Sequence, residues 1–305
     1  MERREFIKKG LGAGILTGSA LALKPYPKSF ARHHSNQVPD LVAVKGGEPG
    51  VLFDKGILAL GGMKKYVKPN QNVVIKPNIG WDTSPERGAN TNPELIARIV
   101  EHCFSAGAKT VYVVDHSTDE WTRTYKNSGI EKAARGAGAK VATGNSESHY
   151  HPVHVKNGKS LKNVLVHELI LESDVFINVP VLKDHSSTMV TAALKNLMGV
   201  VWDRRWWHDN NLHQCIADFP TEIKPDLNIV DAYRVMKRNG PRGVSVSDVV
   251  TMKYQLLSED IVAVDAAAIK LLGREPGQVG HIRIADQMGV GTVDLTSLDI
   301  SRIEV

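Results

Sequence analysis

The chain has 305 residues, a hydrophobic content of 42% and a formal charge of +5, with only two cysteines, Cys103 and Cys215. That composition suits a packed globular core but gives no disulfide framework, and this chain alone cannot ligate a four-cysteine iron–sulfur cluster. Residues 1–31 hold six basic and two acidic side chains, so the remainder is close to neutral and nucleic acid is not expected as a partner.

At the N-terminus Arg3-Arg4 is followed by Phe6-Ile7, Lys8-Lys9 and a weakly apolar run over residues 11–23. That run is shorter than the roughly 20 residues a membrane-spanning helix needs. Pro25 and Pro27 end it, and Ser29-Phe30-Ala31 supplies a small-residue exit. The order of charged, apolar and small-residue segments is that of a signal peptide, and the arginine pair resembles a twin-arginine signal. Export of the folded chain through the twin-arginine translocase to the periplasm, or to another extracytoplasmic space, is therefore expected. Ala31 is the expected cleavage point, and residues 32–305 are expected to form one α/β domain.

Val73-Val74-Ile75 reads as a buried strand that stops at Lys76-Pro77-Asn78. A polar loop leads to Thr91-Asn92-Pro93-Glu94, which opens a helix with Thr91 as its cap and Leu95, Ile96, Ile99, Val100 and Cys103 on its inner face. Gly107 ends that helix, and Thr110 to Asp115 is the next strand. Strand, helix and strand in this order form a βαβ unit and imply a parallel sheet. A second helix and strand follow over residues 130–142. The polar stretch 146–162, with His149, His151 and His154, is expected to be an inserted loop or edge hairpin.

Residues 174–182 read as a central strand and residues 187–198 as a helix with Thr188, Thr191 and Lys195 on one stripe. Residues 211–219 form a further helix, 227–231 a strand, 261–272 a helix and 298–305 a last strand. The whole is a doubly wound α/β fold, a mostly parallel sheet with helices on both faces and one inserted region.

Ligands of such sheets sit beyond the carboxyl ends of the strands. The polar residues there are Lys76, Asn78, Asp115, His116, Lys183, His185 and Asp231. They combine cations, carboxylates and imidazoles, a set suited to an anionic ligand or a ligand-bridged metal. Trp202 to Cys215 is unusual, with three tryptophans among charged residues and His208 and His213. Asn239-Gly240-Pro241-Arg242-Gly243 reads as a turn, in which Gly240 lets backbone approach a ligand.

The segments Lys76-Pro77-Asn78, Asn92-Pro93-Glu94, Val181-Leu182-Lys183-Asp184-His185 and Ala193-Leu194-Lys195-Asn196-Leu197-Met198-Gly199, with Asp231 and the Gly240 turn, together resemble the DUF362 family. The resemblance implies the α/β fold and the position of the site, and no established reaction. Many members carry an appended ferredoxin-like cluster module, from which this chain departs.

The favoured reading is an enzyme acting on a small anionic ligand or cofactor. Lys76, Asn78, Asp115, Lys183, Thr191, Asn196 and Gly240 are its ligand-binding candidates. His185, His213 and Lys195 are its catalytic candidates, imidazole being able to transfer protons near neutral pH. A divalent metal is the cofactor alternative, held by Asp231 and His213. The competing reading is a non-catalytic periplasmic carrier or assembly partner, and a redox partner protein stays open.

Overall fold

The computed structural model describes residues 38–305. The twin-arginine segment expected over residues 1–31 lies outside the described residues. Strand β1 (Leu41–Lys45) and helix α1 (Pro49–Ala59) come first. In β2 (Asn72–Pro77) every side chain from Val73 to Pro77 is buried, as required of a strand paired on both edges and covered on both faces.

Helix α2 (Pro93–Ala106) begins one residue later than its sequence suggests. Asn92 is the cap and accepts from Glu94 N at 2.9 Å. Thr91 is drawn inward, donating to Val179 O at 2.7 Å and accepting from Asn78 N at 2.8 Å. The inner face of α2 is Leu95, Ile96, Ile99, Val100 and Cys103, all fully buried. Burial of this kind contributes roughly 1.5–3 kcal/mol per large apolar side chain.

Strand β3 (Thr110–Val113), helices α3 (Trp121–Asn127) and α4 (Ile130–Gly136), and β4 (Lys140–Val141) follow. The expected insertion is an antiparallel hairpin of β5 (Tyr150–His154) and β6 (Asn163–His167), separate from the main sheet. Helix α5 (Glu168–Glu172) leads to β7 (Val175–Val179). The apolar run 174–182 does not form one strand. It breaks at Pro180, which has no N–H to give a ladder, and resumes as β8 (Val181–His185).

The helix expected over residues 187–198 is mostly not a helix. After β8 the chain turns back into β9 (Met189–Thr191), antiparallel to β8 with Thr191 opposite Lys183. His185 Nδ1 accepts from Ser187 N at 3.1 Å, and the Thr188 hydroxyl donates to Val190 O at 3.1 Å, which fixes the turn. β-Branched Val190 and Thr191 favour the strand that follows. Only α6 (Ala193–Asn196) is α-helical, continued by a 3₁₀ turn over Leu197–Val200. Its start is capped from a distance by Asp265, which accepts from Ala193 N at 2.5 Å and Leu194 N at 3.0 Å.

The remaining elements are α7 (Arg204–Asp209), α8 (Leu212–Asp218), β10 (Leu227–Met236), β11 (Val249–Ser258), α9 (Ile261–Leu271), α10 (Gly280–Gln287) and β12 (Ile300–Glu304). The sheet order is β12-β1-β11-β10-β7-β2-β3-β4, with β8 alongside β10. From β10 to β4 all pairs are parallel; β11 runs against both β1 and β10, and β12 runs with β1.

Alternate positions Val73, Ile75, Val175, Ile177, Leu227 and Ile229 enter one core with α1, α2 and α4. The opposite face carries Val74, Phe176 and Val230 and is covered by α6 and α9. No helix among the described residues is long and apolar enough to cross a membrane. From β2 the chain winds outward to β3 and β4, then returns to β7 on the other side of β2. Between β2 and β7 the winding direction reverses, and there a doubly wound sheet opens its ligand crevice.

Candidate functional site

A cavity of about 350 Å³ lies over this reversal, at the carboxyl ends of β2, β3 and β8. Strand β2 brings Lys76 and, just beyond it, Asn78. The segment after β3 brings Asp115 and His116, the β8–β9 hairpin brings Lys183, His185 and Thr191, and α6 brings Lys195 and Asn196. These residues are scattered over 120 positions of sequence, and the parallel winding collects them at one edge.

The floor is a buried ion pair. Lys76 Nζ lies 2.8 Å from Asp115 Oδ1 with both side chains almost fully buried. Among the described residues no other donor reaches Oδ1. The ammonium donates to Pro77 O at 2.6 Å and to Asn196 Oδ1 at 3.0 Å. Asp115 Oδ2 accepts from Ile79 N at 2.6 Å, and the Asp115 backbone exchanges hydrogen bonds with the buried Tyr125 hydroxyl. Burial pulls the Lys76 pKa below the ordinary lysine value, with Asp115 opposing it. Gly199 lies against this pair. A Cβ there would sit 2.0 Å from Asp115 Oδ1 and 2.6 Å from Lys76 Nζ, so only glycine lets the chain pass.

A directed chain of amides ties the floor to the sheet. Lys183 donates to Asn78 at 3.0 Å, Asn78 to Asn196 at 3.0 Å, Asn196 to Asn178 at 2.8 Å, and Asn178 to Asn228 at 3.0 Å. Every link polarises the next, and a satisfied buried network of this kind fixes one geometry. Lys183 also donates to Ala89 O. Its acceptors are all neutral, and burial with Lys195 nearby drives its pKa well below the usual lysine value.

The walls add more cations. Arg204 donates to His116 O at 2.6 Å and Ser117 O at 2.7 Å, again to neutral oxygens. Its pKa is lowered by burial. Arg205 and His208 also line the cavity. Lys195 reaches it with no hydrogen-bond or ion-pair partner among the described residues. Burial, then the charges of Arg204 and Lys76, push its pKa down to about 7. His185 is pushed down to about 3, by burial and then by Lys195, Lys183 and His208. At neutral pH it is an uncharged imidazole whose Nδ1 accepts from Ser187 N, so Nε2 carries the proton and is a donor.

Three expected members are not in this cavity. The two oxygens of Asp231 accept from Asn92 N at 2.7 Å and Tyr233 N at 3.0 Å, which ties β10 to the start of α2. Burial lifts its pKa to about 6. His213 stacks on buried His281 with ring centroids 5.5 Å apart, and its Nδ1 accepts from His281 N at 3.2 Å. The structure does not bring Asp231 and His213 together as a metal pair. No group of three or more His, Cys, Asp or Glu is placed to hold a metal among the described residues. Gly240 does not line the cavity either. It packs against backbone, since a Cβ there would lie 1.8 Å from Asp184 O, and Pro241 is the turn residue at the rim.

Sequence reasoning missed Arg204, Arg205 and Trp81 as cavity residues. The signal for the arginines was present in their place inside the tryptophan-rich stretch. That stretch divides its work: Trp202 stacks on His116 at 5.1 Å, Trp207 is buried against Phe219, and Trp206 is exposed. His149, just before the separate hairpin, and His151 on its first strand approach Glu168 at the start of α5, at 3.0 and 3.7 Å.

A protein-family model described as "Domain of unknown function (DUF362)" matches residues 73–270. Thylakoid-associated protein sll1697 of Synechocystis sp. is 24% identical over 239 residues, which is 76% of this chain and 72% of that protein. Among solved structures, the lactate racemase apoprotein of Thermoanaerobacterium thermosaccharolyticum matches with a TM-score of 0.47 at 12% identity, covering 82% of this chain and 60% of that one. A structural-genomics protein from Thermotoga maritima matches with a TM-score of 0.45 at 13% identity, covering 79% of this chain and 60% of its own. The chain thus spans about 60% of the length of each of these two solved structures.

Proposed function

Because this chain belongs to the DUF362 family, described as a domain of unknown function, we propose its role from the site itself. It is an enzyme that binds a small organic anion over the β2–β7 reversal and moves a proton on that anion with Lys195. The observation that carries this reading is the Lys195 amine, which has no partner among the described residues and shares the cavity with Lys183 and Arg204, whose acceptors are neutral. Arg204 supplies positive charge, and Lys183 and neutral His185 supply buried donors. Lys195 has its pKa at about 7, where a group serves equally as acid and base.

The test needs no known substrate. Limited acetylation at pH 7, read by peptide mass spectrometry, should label Lys195 ahead of surface lysines, because only the free amine reacts. Anions that occupy the site should protect it. A protecting anion held in D₂O should then gain deuterium at carbon, and Lys195→Met should abolish that gain. Protection without exchange would make the protein a carrier of the same anion. Absence of preferential labelling would remove Lys195 as the proton-transfer group.

The proposal includes export by the twin-arginine route, on the strength of Arg3-Arg4 and the short apolar run behind them. Replacing both arginines by lysine should hold the folded protein in the cytoplasm, as read by cell fractionation. Unchanged export of that variant would refute this part.

A further inference from the structure

We propose that the occupant of this cavity is a small phosphate ester, held by its dianionic group between Lys195 and the Arg204–Arg205 pair. This rests on the anion reading above and narrows it. The first support is a charge count. Among the described residues five basic side chains line the cavity, Lys76, Lys183, Lys195, Arg204 and Arg205, against one carboxylate, Asp115. Asp115 is spent on Lys76, and no carboxylate pairs with Lys183, Lys195 or Arg204 among the described residues. Arg204 is half-buried with only neutral acceptors and Lys195 has no partner among the described residues, so a monoanion would answer one of them and a dianion both.

The second support is compactness. Lys76, Lys183, Lys195 and Arg204 all reach one and the same cavity. One doubly charged group meets such a cluster better than two carboxylates held apart by a carbon chain. Phosphate also offers three oxygens, and hydroxyls of Thr118, Ser186 and Ser187 border the same space. A volume of about 350 Å³ falls in the range of small-molecule sites, which leaves room for an organic portion beyond the phosphate.

The experiment compares ligands of one carbon skeleton by calorimetry at pH 8. Glycerol 3-phosphate, a dianion there, is expected to bind at least about tenfold tighter than glycerate, because charge-assisted contacts double. It should also exceed inorganic phosphate, since the cavity has room for the ester's carbons. Lys195→Met and, separately, Arg205→Met should each weaken the ester more than glycerate. Equal affinity for glycerate and the ester would overturn the phosphate assignment and leave the anion reading standing. Succinate binding as tightly as the ester would overturn it in favour of a dicarboxylate, and inorganic phosphate matching the ester would remove the organic portion. Ester binding untouched by both substitutions would place it elsewhere on the protein. If none of these anions binds, both readings fall.

Discussion

Lys195→Met should remove anion binding while making the fold more stable. The amine reaches the cavity with no partner among the described residues and with other basic groups around it, so its charge is useful only when a ligand is present. Loss of a desolvated ionic contact weakens binding by about 2–5 kcal/mol, or roughly 30-fold and upward. The gain in stability follows from linkage. Lys195 has a pKa of about 7 in the folded chain, against roughly 10.4 when unfolded. The unfolded state therefore binds the extra proton between these values, and wild-type stability rises with pH across that window.

Below pH 7 the folded chain carries the full penalty, on the order of a few kcal/mol, which methionine relieves. The advantage of methionine should be largest below pH 7 and fade as pH climbs toward about 10. Thermal denaturation at pH 6 and pH 9 measures both values. A variant less stable than wild type at pH 6 would show that the ammonium is satisfied in the folded protein, and would sink the idea.

Asp115→Ala should have the opposite character, destabilising the whole domain. Asp115 neutralises a lysine that is 1% exposed and also accepts from Ile79 N. Removing one partner of a buried ion pair costs about 3–5 kcal/mol, because the other charge stays buried. For a domain of this size that lowers Tm by roughly 10 °C. The double variant Asp115→Leu with Lys76→Met should recover much of the loss, since an apolar pair of similar volume replaces such a bridge with little penalty. If Asp115→Ala melts with wild type, the pair does not hold the floor.

Much of the fold was legible because it is local. The run 73–115 shows strand, cap, helix face and strand in the residues themselves, and the error at its cap was one position, Asn92 in place of Thr91. The hairpin at residues 185–191 was not legible. Ala193, Leu194 and Lys195 are good helix formers, and a helical stripe extended backwards from them looks sound. What overrides it is the side-chain bond from His185 to the Ser187 amide and the hairpin pairing with β8, a strand itself held in place by distant β10.

The site followed the same division. Lys76, Asp115, Lys183 and His185 were found because strand ends were found. Arg204 sits on a short helix between strands, and Asn178 and Asn228 lie inside apolar strands, where polar residues look incidental until their amides are seen to join. Asp231 looked functional as a strand-end residue and His213 as part of the tryptophan-rich stretch, but Asp231 bonds backbone and His213 bonds the His281 amide and lies against its ring.

The edge of the sheet at β1 sets a condition on biosynthesis. Its two neighbours are β11 and β12, so the first described strand is flanked by segments from the end of the chain. Val305 N closes the edge onto Lys45 O at 2.9 Å. A chain leaving the ribosome presents Leu41, Val42 and Val44 long before β11 and β12, the strands that enclose them. Contacts this remote in sequence form slowly, and the interval is open to aggregation. Truncation of the last six residues, 300–305, would leave β1 as a bare edge strand, a ready template for another chain.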